Sequence, residues 1–581
     1  MRLPVVTRTT DDGESERTMK RLWMPVGARR RALLVGVGAA ILAAATVHAG
    51  VPEDPPFEHE TLPGVSPEPI LEGAGLRGAA DLEAFFDGVM AAHLAAQRIA
   101  GAAVAVVKDG APYFTKGYGH ADVGKRTPVD PSTTLFRAGS ATKLVTWTAV
   151  MQLVEQGKLD LDADVGRYVP QFDIPPTFDQ PITLRNLMTH TPGLEDAIVS
   201  LFARKPEDVA PLAESLQRHM PARVRPPTTD FTDGMNVSYS NWGAALAGLI
   251  VANVSGVDFD EYVEGNVLRP LGMTRSTMRE PLPPGLAPHL SAGYGYEEGR
   301  HRAGNFEFVS GLGPAGSLTS TASDVARFMI AHLQDGRYGD HRILGEETAR
   351  YMQARRLSPS PYVDGAGLGF YETWINGRRW IGHGGDTVYF HTNLSLLKEE
   401  NLGIYVAYNS APVLPFSARD DLLKAFMDRY YPARLPAVEP PGGFGARAAK
   451  YAGEYRVIKH SYAKNERLFG LAASITIEPT GDGTLRMKRL GAPVASQWVE
   501  VAPSLFRRID GEDVLFFPED ADGGVRGFVW PFPFHAAYRV TWYDTLRFHG
   551  VVAAWALLSC VAAILGALRH WGADRAAPAV V

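Results

Sequence analysis

The stretch Leu135-Phe136-Arg137-Ala138-Gly139-Ser140-Ala141-Thr142-Lys143-Leu144-Val145-Thr146-Trp147 joins a short apolar run to a Gly-Ser turn and then to an apolar helix. A helix that begins at Ser140 places its hydroxyl among free backbone N–H groups at the positive end of the helix dipole, where developing negative charge is favoured. Lys143, three residues on, falls on the same helical face. A serine attacks only once a neighbouring base takes its proton, and a lysine with its pKa lowered in an apolar site can be that base. Ser140 and Lys143 are therefore the candidate nucleophile and its activator. The run Leu144 to Glu155 is apolar on nearly every face and Gly157 closes it, so the helix is buried and Ser140 lies on the floor of a cleft. Ser-x-x-Lys is a cheap pattern, and a second copy stands at Ser461-Tyr462-Ala463-Lys464. With no apolar helix behind it, that copy reads as a solvated loop.

A chain of 581 residues is too long for one ordinary domain. Its formal net charge of -6 is spread without long single-sign runs, which argues against a nucleic-acid partner. The single cysteine, Cys560, forms no internal disulfide, and no Cys/His spacing of a structural zinc site is present. No metal or cofactor is expected. Targeting signals stand at both ends. Arg29-Arg30-Arg31 precedes an uncharged apolar run, Ala32 to Val47, so residues 1–49 read as an export signal or retained anchor, with Met19 or Met24 as alternative starts. Gly550 to Leu568 carries no charge and is long enough to cross a bilayer, with Trp542, Tyr543 and Trp571 at its interfaces. The alternative is a buried core helix. Arg569 and Arg575 follow it, so residues 569–581 are expected to be a cytoplasmic tail and the body to lie outside.

Residues 50–79 are rich in Pro and Glu and read as a linker. The sequence Gly73-Ala74-Gly75-Leu76-Arg77-Gly78 matches a dinucleotide fingerprint in form only, because no strand precedes it. The patterns then predict a helix over about Ala80 to Gln97 and a hairpin of Ala102–Val107 and Pro112–Lys116 across Lys108-Asp109-Gly110. After the helix that carries Lys143 come helices and loops to about Ala349, with a capping box expected at Thr321-Ala322-Ser323-Asp324. Strands return at Tyr371–Ile375, Arg378–Gly382, Tyr389–Leu397 and Leu402–Tyr408. The fold expected for residues 80–433 is α/β (α+β), an antiparallel sheet built from both ends of the domain with a helical region inserted. Pro and Gly in residues 434–446 mark a second linker, and short alternating runs over 447–540 read as a small all-β domain in which no chemistry is apparent.

Two further stretches supply what Ser140 and Lys143 lack. In Tyr239-Ser240-Asn241 a phenol beside a lysine can relay a proton to a leaving group, while an amide holds both the lysine and a substrate carbonyl. The plain alternative is a turn tyrosine beside an N-capping asparagine. In Ile381-Gly382-His383-Gly384-Gly385-Asp386, at a strand end, the glycines admit a substrate backbone and the strand edge offers N–H groups to an oxyanion. A lone histidine in such a place is more often structural.

Together, in this order, the three stretches resemble the motif set of the serine β-lactamase and penicillin-binding-protein superfamily. The branch they resemble is the class C β-lactamase-related serine hydrolases, a group of esterases, D-amino-acid peptidases and lactamases. Ile182 to Gly193, Pro314-Ala315-Gly316-Ser317-Leu318 and Asn401 to Val406 add to the likeness, which spans about Leu82 to Tyr431. The resemblance implies Ser140 as acylated nucleophile, Lys143 and Tyr239 as the proton-transfer pair, and Asn241 as a substrate contact. His383 and Gly385 would line the substrate strand, and the backbone N–H groups of Ser140 and Asp386 would form the oxyanion hole. It implies an exported, membrane-anchored hydrolase acting through an acyl-enzyme on a small-molecule or peptide substrate: an ester, or an amide of a D-amino acid or peptidoglycan fragment. The alternatives are a penicillin-binding sensor with little turnover, or a true β-lactamase. The departure is His383, where most of the superfamily carries lysine. An imidazole with a pKa of about 6.5 gains charge only as pH falls below neutrality, so recognition of anionic substrates is expected to rise through that titration.

Overall fold

The computed structural model describes residues 52 and 54–576, except 197–200, 229–234, 310, 414–417, 465, 491, 493 and 531–535. The N-terminal stretch read as an export signal lies outside the described residues.

The sheet begins with β1 (Gly101–Lys108) and β2 (Ala111–Asp122), joined across Asp109 and Gly110, both at positive φ as a tight hairpin turn requires. The short β3 (Thr127–Pro128) extends β2. The other strands come from the far end of the domain: β4 (Tyr371–Ile375), β5 (Arg378–Asp386), β6 (His391–Leu397) and β7 (Leu402–Tyr408). They assemble antiparallel in the order β4-β5-β6-β7-β1-β2-β3, so the two chain ends meet where β7 pairs with β1.

Alternation along β1 divides the core into two layers. Ala103, Ala105 and Val107 face α2 (Thr142–Glu155), α3 (Asn241–Ser255) and α4 (Ala322–Leu333), while Ala102, Val104 and Val106 face α1 (Ala79–Ala96) and α5 (Ala418–Tyr430). Helices thus cover both faces, and α2 is the innermost, with every side chain from Thr142 to Val154 buried. Beyond α5, eight antiparallel strands from β8 (Gly453–Val457) to β15 (Ala536–Arg539) close into a barrel around Tyr455, Phe506, Phe517 and Phe528. The chain then enters α6 (Leu546–Ala576), in whose Leu546–Arg569 portion an 18-residue stretch has a mean hydropathy of 2.4 and is not buried against the protein. A core helix is thereby excluded for this segment.

Three expectations change. The described part of residues 50–79 is not a free linker: Glu68 and Pro69 pair with Arg434 and Ala433, Asp54 accepts a 2.6 Å bond from the Tyr351 hydroxyl, and His59 stacks 3.8 Å from Trp374. Polar and Pro-rich composition hid this because the contacts are backbone and single-ring contacts rather than a periodic apolar face. The capping box at Thr321 is half made. Thr321 accepts the Asp324 N–H at 3.2 Å, but the Asp324 carboxylate turns to the Arg275 N–H and the Ser276 hydroxyl, 2.7 and 2.9 Å away. Ser461-Tyr462-Ala463-Lys464 is no solvated loop either, since Ser461 is buried where the barrel meets Glu195 of the first domain.

Candidate active site

Ser140 stands in a single 3-10 turn, Gly139–Ala141, from which α2 starts at Thr142. Gly139 has a φ of +54° and a side chain there would fall 2.7 Å from the Asp386 backbone nitrogen, so glycine is required for the turn to lie against the end of β5. Leu318 and Thr142 tie the turn from beneath: the Ala138 N–H donates to the Leu318 carbonyl at 2.8 Å, and the Thr142 hydroxyl accepts the Leu318 N–H at 3.0 Å.

At the second position of α2, Lys143 is fully buried, and its Nζ is 3.1 Å from Ser140 Oγ, 2.8 Å from Asn241 Oδ1 and 2.7 Å from the Ala315 carbonyl. None of the three carries a charge. Burial pushes the lysine pKa well below its ordinary value, the charge of Lys459 pushes it further, and Asp196 opposes. In a free-base form, Lys143 would donate its two N–H bonds to Asn241 and Ala315 and turn its lone pair toward the Ser140 hydroxyl.

Asn241 opens α3, with Ser240 as the N-cap accepting the Gly243 N–H at 3.0 Å. Asn241 therefore sits one residue inside the helix rather than capping it, and its amide is free to reach Lys143. Tyr239, just before the cap, places its ring centre 4.8 Å from Lys143 Nζ and 4.3 Å from the ring of His190. Burial raises the phenol's pKa, an effect that hydrogen bonding with the Ser140 and Tyr371 hydroxyls reduces, so Tyr239 remains a protonated donor at neutral pH. His190 accepts the Ser240 N–H at Nδ1, 3.1 Å away, which orients the segment. Burial above all depresses its pKa and keeps it neutral.

The outer end of β5 runs past β4, whose pairing stops at Tyr371 with Gly382, leaving His383 to Asp386 as open strand edge on that side. Gly385 packs on Ala138 and the Thr392 hydroxyl, which itself donates to the Ala138 carbonyl at 2.8 Å. Ser140, Asn241 and Asp386 line one narrow cleft with Gly139, Val309 and Gly316. His383 lies on the cleft face of β5, but its ring is buried, 4.1 Å from that of Tyr371 and 6.2 Å from that of Tyr239. Burial above all lowers its pKa to about 3. It is neutral throughout the physiological range, so the expected titration between pH 5 and 8 is corrected: His383 is a ring packed under the cleft and does not switch charge there.

Residues without a sequence motif complete the site. Arg419 on α5 donates to the Gly385 and Thr392 carbonyls at 2.9 and 3.0 Å and clamps both oxygens of Asp386 at 2.8 and 2.9 Å. Burial alone would raise the Asp386 pKa, but the hydrogen bond from His391 and the charge of Arg419 outweigh it and hold the carboxyl ionised. Tyr371, Asp196 and Lys459 gather around Tyr239 and Lys143 in the same way.

Comparison with known proteins places this geometry. The family model named Beta-lactamase matches residues 86–427, more than half of the chain. Protein flp of Staphylococcus aureus (strain N315) is 24% identical over 332 residues, 57% of this chain and 63% of that protein. PbpX of Bacillus subtilis (strain 168), whose description is that of a penicillin-binding protein, is 31% identical over 232 residues, 40% of this chain and 54% of that protein. The chain thus spans under two thirds of the length of these relatives. Among solved structures, SurE with D-Leu superposes with a TM-score of 0.53 at 23% identity, over 79% of this chain and 99% of that one, a likeness of fold. With its antiparallel sheet, inserted helical region and matching sequence, the chain belongs to the beta-lactamase family, within the serine β-lactamase and penicillin-binding-protein superfamily.

Proposed function

We propose that this chain is a membrane-anchored serine hydrolase that cleaves an ester, or an amide of a D-amino acid or peptidoglycan fragment, through an acyl-enzyme on Ser140. The observation that carries this reading is the placement of Lys143, fully buried against three uncharged groups with Ser140 Oγ at 3.1 Å. A charged lysine there would lack a bonded counter-ion, whereas a neutral one is the base that serine needs.

In the forward step Ser140 Oγ bonds to the substrate carbonyl carbon while its proton passes to Lys143 Nζ. Negative charge on the carbonyl oxygen is met by the backbone N–H groups of Ser140 and Asp386. Collapse of the tetrahedral intermediate breaks the bond to the leaving group, which receives a proton through the Tyr239 hydroxyl. Water then attacks the acyl-serine with the same groups acting in reverse. A neutral His383 supplies no cation for a substrate carboxylate, which favours neutral esters and amides over penicillins. The D-Leu in the related SurE fold supports a D-amino-acid ligand for this cleft.

The exposed apolar helix Leu546–Arg569 supports the anchor, and Arg569 and Arg575 beyond it support an extracytoplasmic catalytic body. Two experiments test these points. Covalent labelling by a fluorescent phosphonate or penicillin, followed over time, separates turnover from a stable sensor adduct. Full-length protein should sediment with membranes and a chain ending at Thr545 should not; membrane recovery of the shortened chain would contradict the anchor.

A further inference from the structure

The first barrel strand, β8, does not end in solvent. Its continuation, Ile458-Lys459-His460-Ser461-Tyr462-Ala463, crosses onto the catalytic body and is fastened there. The Glu195 carboxylate accepts the N–H groups of Tyr462 and Ala463 at 2.6 and 2.8 Å and the Ser461 hydroxyl at 3.2 Å. The Asp196 N–H donates to the His460 carbonyl at 3.4 Å, and the Arg225 guanidinium bonds the Tyr462 hydroxyl while lying 4.9 Å from its ring centre. Glu195 and Asp196 are both buried. Buried carboxylates persist only where donors satisfy them, and for Glu195 the barrel segment supplies three of those donors.

Between these anchors Lys459 reaches inward. Its Nζ lies 4.6 Å from the Tyr239 ring centre and 3.7 Å from the Asp196 carboxylate. Since Lys143 Nζ is 4.8 Å from the same ring centre, the two amines are within about 10 Å of each other across one tyrosine.

We infer that the barrel completes the active site: Lys459 is a positioning residue that acts on catalysis through Tyr239 and Lys143, so that the centre is fully formed only when the barrel is docked. A cation against the ring face restrains the Tyr239 phenol. Its charge also opposes protonation of Lys143, because two unit charges no more than about 9 Å apart at an effective dielectric of about 20 shift a titration by about one unit or more. The other groups around the pair leave this effect standing. His190 and His383 are held neutral, Tyr239 and Tyr371 are held protonated, and Asp386 is engaged by Arg419 and His391. Asp196 is the carboxylate that opposes it, and Lys459 is paired with that carboxylate.

The catalytic consequence rests on the hydrolase reading; the effect of Lys459 on Lys143 does not, and the test separates them. Full-length protein in detergent, with lysine labelled by 13C at Cε, is titrated by NMR as wild type, Lys459→Gln and Lys459→Arg, with the Lys143 signal assigned by Lys143→Arg. In parallel, the rate at which a neutral fluorophosphonate labels Ser140 is followed against pH. The Lys143 midpoint should rise by about one unit in Lys459→Gln, and labelling on the acid limb should fall about tenfold and recover at high pH. Lys459→Arg should restore both. An unchanged Lys143 midpoint in Lys459→Gln, or an equal loss of rate at every pH, overturns the inference. Absence of labelling in the wild type would end the hydrolase reading, and the NMR midpoint would still decide the role of Lys459.

Discussion

Gly385 and Ala138 approach so closely that a methyl group on Gly385 would come 1.8 Å from the Ala138 carbonyl oxygen and 2.6 Å from the Thr392 hydroxyl. The distance from strand β5 to the turn that presents Ser140 is thus set by backbone contact with no side chain between. Both walls of the cleft depend on that approach, since Asp386 follows Gly385 and Ser140 follows Gly139.

Gly385→Ala should therefore impair chemistry more than folding. Relief of the clash moves β5 or the turn by a substantial part of an ångström, and a misplacement on the order of 1 Å costs about 10²-fold in rate. The folded protein should lose about 1–3 kcal/mol, the usual cost of overpacking. Labelling kinetics together with denaturant unfolding check this; a variant as reactive as wild type would show that the approach does not shape the cleft.

Tyr239→Phe removes the hydroxyl that interacts with Ser140 and Tyr371 but keeps the ring beneath Lys143 and Lys459. Acyl transfer should slow by about two to four orders of magnitude, the range for lost general acid–base assistance, with substrate binding nearly unchanged. Steady-state kinetics on a neutral ester give both quantities, and an unaltered kcat would remove the phenol from the proton path.

The sheet and the residues at its heart were legible in the sequence because periodicity and turn chemistry are local. Asp109-Gly110 announced its hairpin, and the apolar run after Ser140 announced a buried helix. Ser140, Lys143, Tyr239 and Asn241 were visible as pairs at short spacing, and the structure gathers them around one amine. Arg419, Glu195, Asp196 and Lys459 were not. Each is a polar residue in a loop or at a helix end, with no apolar period around it, and each acts on a partner far away in sequence: Arg419 on Asp386, Glu195 on Ser461, Lys459 on Tyr239. The barrel showed no chemistry because its contribution is a single side chain carried on a crossing segment. His383 was legible as a cleft-face residue but not as a buried ring, since the covering group, Tyr371, comes from the neighbouring strand.

Substrate preference should accordingly be flat with pH where His383 is concerned. With its pKa lowered to about 3, the imidazole stays neutral from about pH 5 to 8, so the ratio of rates on a neutral ester and its carboxylate analogue should not change over that window on its account. His383→Lys should raise the relative rate on the carboxylate. The same burial has a stability consequence. A histidine with a folded pKa below its unfolded value contributes stability that is full above about pH 6.5 and is lost as pH falls toward the folded value, by up to about 1.4 kcal/mol per pH unit. His383 and His332, both lowered to about 3, act together. Unfolding free energy should drop between pH 6.5 and 4.5; a ratio of rates that climbs steeply below pH 7 would restore a charged His383.

Ser461→Ala tests the second Ser-x-x-Lys. The hydroxyl bonds Glu195 at 3.2 Å, and the Tyr462 and Ala463 N–H groups continue to hold that carboxylate without it. A loss of about 1 kcal/mol in stability is expected, the worth of one such bond, with phosphonate labelling retained. Loss of the label would transfer the nucleophile to the barrel segment.

The central claim is that Ser140 is acylated and then released. Intact-mass spectrometry of the full-length protein mixed with an activated neutral ester measures this most directly, followed by peptide mapping of the adduct. The arrangement of Ser140, Lys143 and Asn241 predicts a mass increase equal to the acyl group, located on Ser140, decaying on continued incubation, and absent from a folded Ser140→Ala protein. An adduct that persists in Ser140→Ala, or one that forms on Ser140 and never decays, would contradict it.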